Sequence, residues 1–195
     1  MTRDESILLI PFPQTEYADD GIALHVSLTL HDRKITLAYQ LDDPADTVVW
    51  PEQPPHSSAA TLRQDELWKT TCMELFIKRS DDPEYWEFNF SPSGAWNAYH
   101  FTRYRQNMTA EKCISAIPVR QHSPTPGSRI LQACVDLSAT ALFHADSPAT
   151  TLYAGIAAVI QTKCGHCYYY AHTHAADTPD FHDPKSFCLS LPSDR

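Results

Sequence analysis

LWKTTCMELFIKRSDDPEYWEFNFSPSGAWNAYHFTRYR, residues 67–105, is the stretch whose reading decides the fold. It predicts three consecutive antiparallel strands, near residues 72–79, 84–91 and 95–104. Asp81-Asp82-Pro83 and Ser91-Pro92-Ser93-Gly94 mark the connections, because Asp, Pro, Ser and Gly are the residues that tight turns demand. Alternation then sorts the side chains into two faces. Met73, Leu75, Ile77, Trp86, Phe88, Phe90, Trp96, Ala98 and His100 fall on one side, which is nearly all apolar and is the expected core. Cys72, Glu74, Phe76, Lys78, Tyr85, Glu87, Asn89, Asn97, Tyr99, Phe101 and Arg103 fall on the other. A slip of one residue would bury Glu87 and Asn89 and expose Trp86 and Phe88, so the hydrophobic pattern fixes the register.

The second face mixes carboxylates, an amide, a phenol and a guanidinium with aromatic rings. That mixture suits a polar ligand with an apolar flank. A solvated sheet face with cross-strand ion pairs such as Glu87 with Arg103 is the plainer alternative.

Trp68, Thr71-Cys72, Glu74, Glu87-Phe88-Asn89-Phe90-Ser91-Pro92-Ser93-Gly94, Trp96, Tyr99, Phe101 and Tyr104-Arg105 resemble the DOMON-like domains, relatives of family 9 carbohydrate-binding modules. Tyr169-Tyr170-Ala171, Pro179-Asp180-Phe181-His182 and Ser186-Phe187 resemble the end of such a domain. The resemblance spans most of the chain. It implies an all-β, antiparallel β-sandwich of the jelly-roll or immunoglobulin-like kind, with little helix and one domain over residues 1–195. It implies less about function, since the superfamily includes sugar binders, haem binders and members without a known ligand.

Composition narrows the partners. At 195 residues the chain fits one domain with a substantial core. A formal charge of −9 argues against nucleic acid and anionic membranes. Fifteen prolines against five glycines favour defined loops and strand ends over long helices. The early apolar run Ile7–Ile10 is shorter than the ~7–15 residues of a secretory signal, and no segment approaches the ~20 apolar residues of a membrane span. A cytoplasmic location with free rather than bridged cysteines is the expectation.

Elsewhere the chain reads as further strands. Ile22–Leu30 and Ile35–Leu41 alternate and form a hairpin across His31-Asp32-Arg33-Lys34. Thr47–Trp50 is a candidate short strand, and Pro51–Gln64 a loop that delivers Leu67 and Trp68 to the sheet rim. There Trp68 either stacks on a sugar or plugs the sheet edge. Cys113–Arg120 and Arg129–Leu137 read as strands around HSPTPGS, and Ser138–Phe143 as one helical turn. Leu152–Ile160 is apolar on both parities, as a central strand requires. Cys167–His174 is its hairpin partner, and Phe187–Leu191 closes the sheet. About ten strands at short spacing favour a sandwich.

Cys164-Gly165-His166-Cys167 has the tetrapeptide of a thiol oxidoreductase. It lacks the strand-to-helix setting that lowers a cysteine pKa, so it reads as a hairpin loop. A metal or thiol module would draw on Cys164, Cys167, His172 and His174, but residues 167 and 174 lie about 23 Å apart along an extended strand. His172, His174 and His182 remain alternative ligands. Glu74 and Glu87 lie on one face of neighbouring strands, as the two carboxylates of a glycoside hydrolase do. Lys78 and Arg103 beside them would lower their pKa values, the wrong direction for a general acid.

The reading is therefore a non-catalytic module for a carbohydrate or sugar-containing metabolite. Glu74, Glu87 and Asn89 would bond hydroxyls, Arg103 would supply a charged fork, and Tyr99 and Trp68 would stack on the sugar. Haem is the alternative cofactor, with His100, His172, His182, Met73 and Met108 as candidate axial ligands.

Overall fold

The computed structural model describes residues 6–13, 21–54, 62–80, 82–143 and 151–191. Its strands are β1 (Ile7–Pro11), β2 (Ala23–His31), β3 (Lys34–Asp42), β4 (Cys72–Arg79), β5 (Tyr85–Phe90), β6 (Trp96–Phe101), β7 (Thr109–Ala110), β8 (Val119–Thr125), β9 (Ser128–Asp136), β10 (Leu152–Gln161), β11 (Cys167–Ala171) and β12 (Leu189–Leu191).

The meander forms in the register its side chains demand. Met73 pairs with Phe90, Leu75 with Phe88 and Ile77 with Trp86. Phe88 pairs in turn with Ala98, and Phe90 with Trp96. All of these are at most 1% exposed, and each large apolar side chain so buried contributes about 1.5–3 kcal/mol.

Neighbouring strands follow the order β7-β6-β5-β4-β10-β11-β1-β2-β3-β9-β8, and every pairing is antiparallel. β12 and β11 share one edge of β10, because β4 occupies the other. The fold is an all-β sandwich whose two sheets are joined by β1. Ile7, Leu8 and Leu9 pair with β2, and Ile10 and Pro11 pair with β11. The inner faces meet in one core, where the meander's apolar set packs against Leu24, Val26, Ile35, Leu37, Tyr39, Leu131 and Val135. The buried Tyr39 hydroxyl crosses that core and donates to the Glu74 main-chain oxygen at 2.9 Å.

Several boundaries differ from expectation. β6 stops at Phe101, and Arg103 pairs only with Gln106 in a turn. Arg105 and Asn107 there take left-handed φ values of 52° and 54°, which no strand accommodates. β8 starts at Val119 and runs on through His122-Ser123-Pro124, where a loop was expected. It is the outermost strand of its sheet, a place where a proline's missing N–H costs no ladder bond. Thr47–Trp50 contributes a single bridge, Val48 to Thr162, and the turn after β9 is a 3₁₀ segment, Ala141–Phe143. β1 and β7 carry too few residues to show a period. Cys164–Cys167 forms the β10–β11 hairpin turn, with Gly165 at φ 92° and its N–H donating to the Thr162 carbonyl at 2.9 Å.

Candidate functional site

The outer face of the meander sheet is built from cross-strand rows. Tyr99, Glu87, Phe76 and Gly155 form one row across β6, β5, β4 and β10. The next is Asn97, Asn89, Glu74, Ala157 and Ala171, and beyond it lie Cys72, Val159 and Tyr169. Two segments fold over these rows. The 3₁₀ turn Leu67–Lys69 sets Trp68 edge-on to Tyr99, with centroids 5.7 Å apart. The segment 173–188 brings Phe181, His182 and Phe187. Phe187 stacks on Phe76 at 5.7 Å and lies directly over Gly155, where a Cβ would come within 2.7 Å of the ring. Glycine is required there by this close approach.

Between the covers remains a cleft of about 470 Å³. Glu74, Glu87 and Val159 supply its floor from the sheet. Trp68, Tyr169, Phe181 and Pro179 bring rings and apolar surface, and Phe101, Met108, Arg105 and His182 complete it. This is the usual makeup of a small-molecule site, largely apolar with a few convergent polar groups.

The polar groups split into a satisfied rim and an unsatisfied floor. At the rim, Asp180 Oδ1 accepts from Arg105 Nη2 at 2.8 Å and from the His182 N–H at 3.1 Å, and Oδ2 accepts from the Tyr104 hydroxyl at 2.6 Å. These donors hold the Asp180 carboxyl below its ordinary pKa despite the opposing effect of burial. The Arg105 main-chain N–H donates to the Tyr85 hydroxyl at 3.1 Å, and that hydroxyl lies 2.8 Å from His182 Nδ1. Burial, reinforced by Arg105, lowers the His182 pKa to about 4. The imidazole is therefore neutral, with one ring nitrogen protonated and Nδ1 hydrogen-bonded to the Tyr85 hydroxyl. Nε2 sits 3.8 Å from Glu87 Oε2, beyond hydrogen-bond reach, and a neutral ring forms no ion pair.

At the floor, Glu74 and Glu87 are only 3% and 4% exposed. Asn89 Nδ2 donates to Glu87 Oε1 at 2.7 Å. The Glu74 carboxyl has no hydrogen-bond donor among the described residues, and neither does the fully buried Asn89 Oδ1. Burial raises both carboxyls, Glu87 to about 7 and Glu74 well above its ordinary value, with the charge of Glu87 adding to the rise at Glu74. Arg105 acts in the other direction and is outweighed. The expectation of lowered carboxyl pKa values is thus corrected. Arg103 is exposed in its turn, and Lys78 stands a row away beside Tyr85, so neither cation lines the cleft.

Of the residues singled out in the sequence, Trp68, Glu74 and Glu87 line one cleft. Asn89 lies beneath it, on Glu87. Tyr99 is buried to one side, its hydroxyl donating to Asp65 Oδ1 at 3.0 Å and accepting from Asn97 Nδ2 at 2.8 Å. The guanidinium at the cleft belongs to Arg105 rather than Arg103. Arg105, Tyr169 and Phe181 were visible only as parts of the DOMON-like motifs, and His182 was singled out besides only as a candidate metal or haem ligand. Arg105, Phe181 and His182 lie off the strands, where alternation gives no direction.

The alternative sites are scattered. Among the described residues no group of three or more His, Cys, Asp or Glu side chains is gathered as a metal ion requires. His174 is engaged elsewhere, its Nε2 2.9 Å from the Ile10 carbonyl and its ring edge-on to Phe12. Of the haem-ligand candidates, Met73 is in the inner core and His100 stacks on Trp86, while His182 and Met108 face the cleft.

No family model matches the chain, and no curated protein sequence does. The fold has relatives among solved structures. A protein from Bacteroides uniformis assigned to carbohydrate binding superposes with a TM-score of 0.61 at 17% identity, covering 95% of this chain and 86% of that one. A family 9 carbohydrate-binding module from Caldicellulosiruptor kristjanssonii, solved with glucose, superposes with a TM-score of 0.50 at 11% identity, covering 90% and 78%. At these identities the likeness is one of fold.

Proposed function

We propose that this protein is a non-catalytic binder of a carbohydrate or sugar-containing metabolite, taken up in the cleft over Glu74 and Glu87. The observation that carries the reading is the pairing of a hydrogen-bonding floor with aromatic walls. Trp68, Tyr169 and Phe181 offer apolar faces, and the carboxyls below offer acceptors for hydroxyls. A sugar ring has the same division, with C–H faces and a hydroxyl perimeter. The fold shared with a glucose-binding module and the DOMON-like sequence motifs point the same way. A cleft of about 470 Å³ favours a small sugar or a chain end. We place its action in the cytoplasm, on a soluble metabolite.

The test is a titration of neutral mono- and disaccharides followed by protein-observed NMR. Shifts should concentrate at the Trp68 indole and the Tyr169 amide. Trp68→Ala should weaken affinity by ~2- to 10-fold, the range of one ring contact. Saturable binding whose shifts avoid these residues would overturn the site. Hydrolysis of a nitrophenyl glycoside that disappears in Glu87→Gln would overturn the non-catalytic assignment.

A further inference from the structure

The cleft floor is short of donors. Glu74 presents a carboxyl with no partner among the described residues, Glu87 has only one donor, Asn89 Nδ2, and Asn89 Oδ1 is buried without one. These three residues are neighbours: Glu74 and Asn89 face each other across β4 and β5, and Glu87 lies two residues from Asn89 on β5. Apart from a proton kept on the carboxyls themselves, such a floor offers acceptors rather than donors. Buried acceptors left bare cost free energy that a ligand supplying donors would recover.

The charge balance points to which donor. Among the described residues Arg105 is the cation lining the cleft, and Asp180 already accepts from it at 2.8 Å. His182 is neutral, and its Nδ1 is committed to Tyr85. Neither relieves Glu74 and Glu87. A sugar hydroxyl brings one donor and no charge. An ammonium brings three donors and a positive charge, matching the two carboxyls that line the cleft.

We infer that the ligand enters with a protonated amine directed at Glu74 and Glu87, which on the carbohydrate reading above makes it an amino sugar rather than a neutral one. Proton held on these raised carboxyls would then be released as the ammonium arrives. The walls need no change, since Trp68, Tyr169 and Phe181 meet the same ring faces in either sugar.

Glucosamine, N-acetylglucosamine and glucose share one ring and differ at a single substituent. Isothermal titration of the full chain with all three, at low salt and near neutral pH, isolates the amine. Glucosamine should bind at least ~10-fold more tightly than either neutral sugar, the range of a charge-assisted hydrogen bond. Glu74→Gln should bring that ratio towards unity, and its melting curve shows whether it folds. Equal affinity for the three sugars would overturn the amine while leaving the carbohydrate reading standing. Cyclohexylamine binding as tightly as glucosamine, with neutral sugars inert, would uphold the amine and overturn the carbohydrate. Silence from all four probes overturns both. Calcium binding that excludes glucosamine would assign the carboxyls to a divalent cation and overturn the inference.

Discussion

The two faces of β4 and β5 are almost equally buried, yet they are different materials. On the inner face Met73, Leu75, Ile77, Trp86, Phe88 and Phe90 are at most 1% exposed and carry one polar hydrogen, on the Trp86 indole. That hydrogen is used, Nε1 donating to Glu111 Oε2 at 2.8 Å. On the outer face Glu74, Phe76, Glu87 and Asn89 are at most 4% exposed. There a carboxyl and an amide oxygen have no donor among the described residues. Degree of burial therefore does not separate the core from the candidate cleft in this molecule. Donor-and-acceptor accounting does, because a finished core leaves few polar atoms unpaired and a binding cleft leaves them for its ligand.

The largest effect expected is at Trp86. Trp86→Ala should lower stability by about 3–5 kcal/mol, read as a shift in the urea midpoint at unchanged slope, since it opens a cavity in a closed core. A loss under about 1 kcal/mol would mean that the inner face is not the sealed side.

Glu87→Gln should behave in the opposite sense, and only at the right pH. The Glu87 carboxyl holds its proton up to about 7 in the fold but releases it near 4.5 when exposed. Between those values the native state carries more protons than the unfolded chain, so stability falls as pH rises. The fall amounts to roughly 3 kcal/mol at 1.36 kcal/mol per unit. Glutamine has no proton to lose, so the variant should gain on the wild type between about pH 5 and pH 8. His182 titrates with the opposite sign, since its pKa is lowered and its contribution is lost as pH falls. It does so in both proteins, so the difference between them reports Glu87 together with its effect on Glu74. A pH-independent difference in melting would show that the floor is an ordinary solvated surface.

The smallest effect sharpens where the cleft ends. Phe187 rests on Gly155 with no room for a Cβ, so Gly155→Ala should cost about 1–3 kcal/mol through overpacking. Phe187→Leu in the same chain should return part of that loss in thermal melts. If Gly155→Ala is neutral, the cover over Phe76 is loose and the cleft extends beneath it.

Much of this contrast was legible in the sequence, for a physical reason. Strand period is two, and Trp86, Phe88 and Phe90 alternating with Tyr85, Glu87 and Asn89 allow one register. Parity carried Glu74 and Glu87 to a common face, and the loop before β4 carried Trp68 to its rim. Parity fails where the strand ends. Arg103 was counted on the binding face, but the chain leaves extended geometry after Phe101 and turns left-handed at Arg105. That places a different guanidinium at the cleft. The covering segment 173–188 has no period at all, so nothing local announces that Phe181, His182 and Phe187 lie over β4 and β5. Nor could alternation rank burial against charge, and so the carboxyl pKa values moved up rather than down.

Strand β1 has a consequence for the order of assembly. Its first half closes one sheet with β2, which is near in sequence, and its second half closes the other with β11, which is synthesised long after it. The pairing of Ile10 with Ala171 encloses almost every other strand in one loop. Closing so long a loop is entropically costly and is repaid only by contacts made late. Strand β1 thus waits for its second partner until β11 has been made. Until then Ile7–Leu9 can pair with β2, while Ile10 and Pro11 have no strand partner.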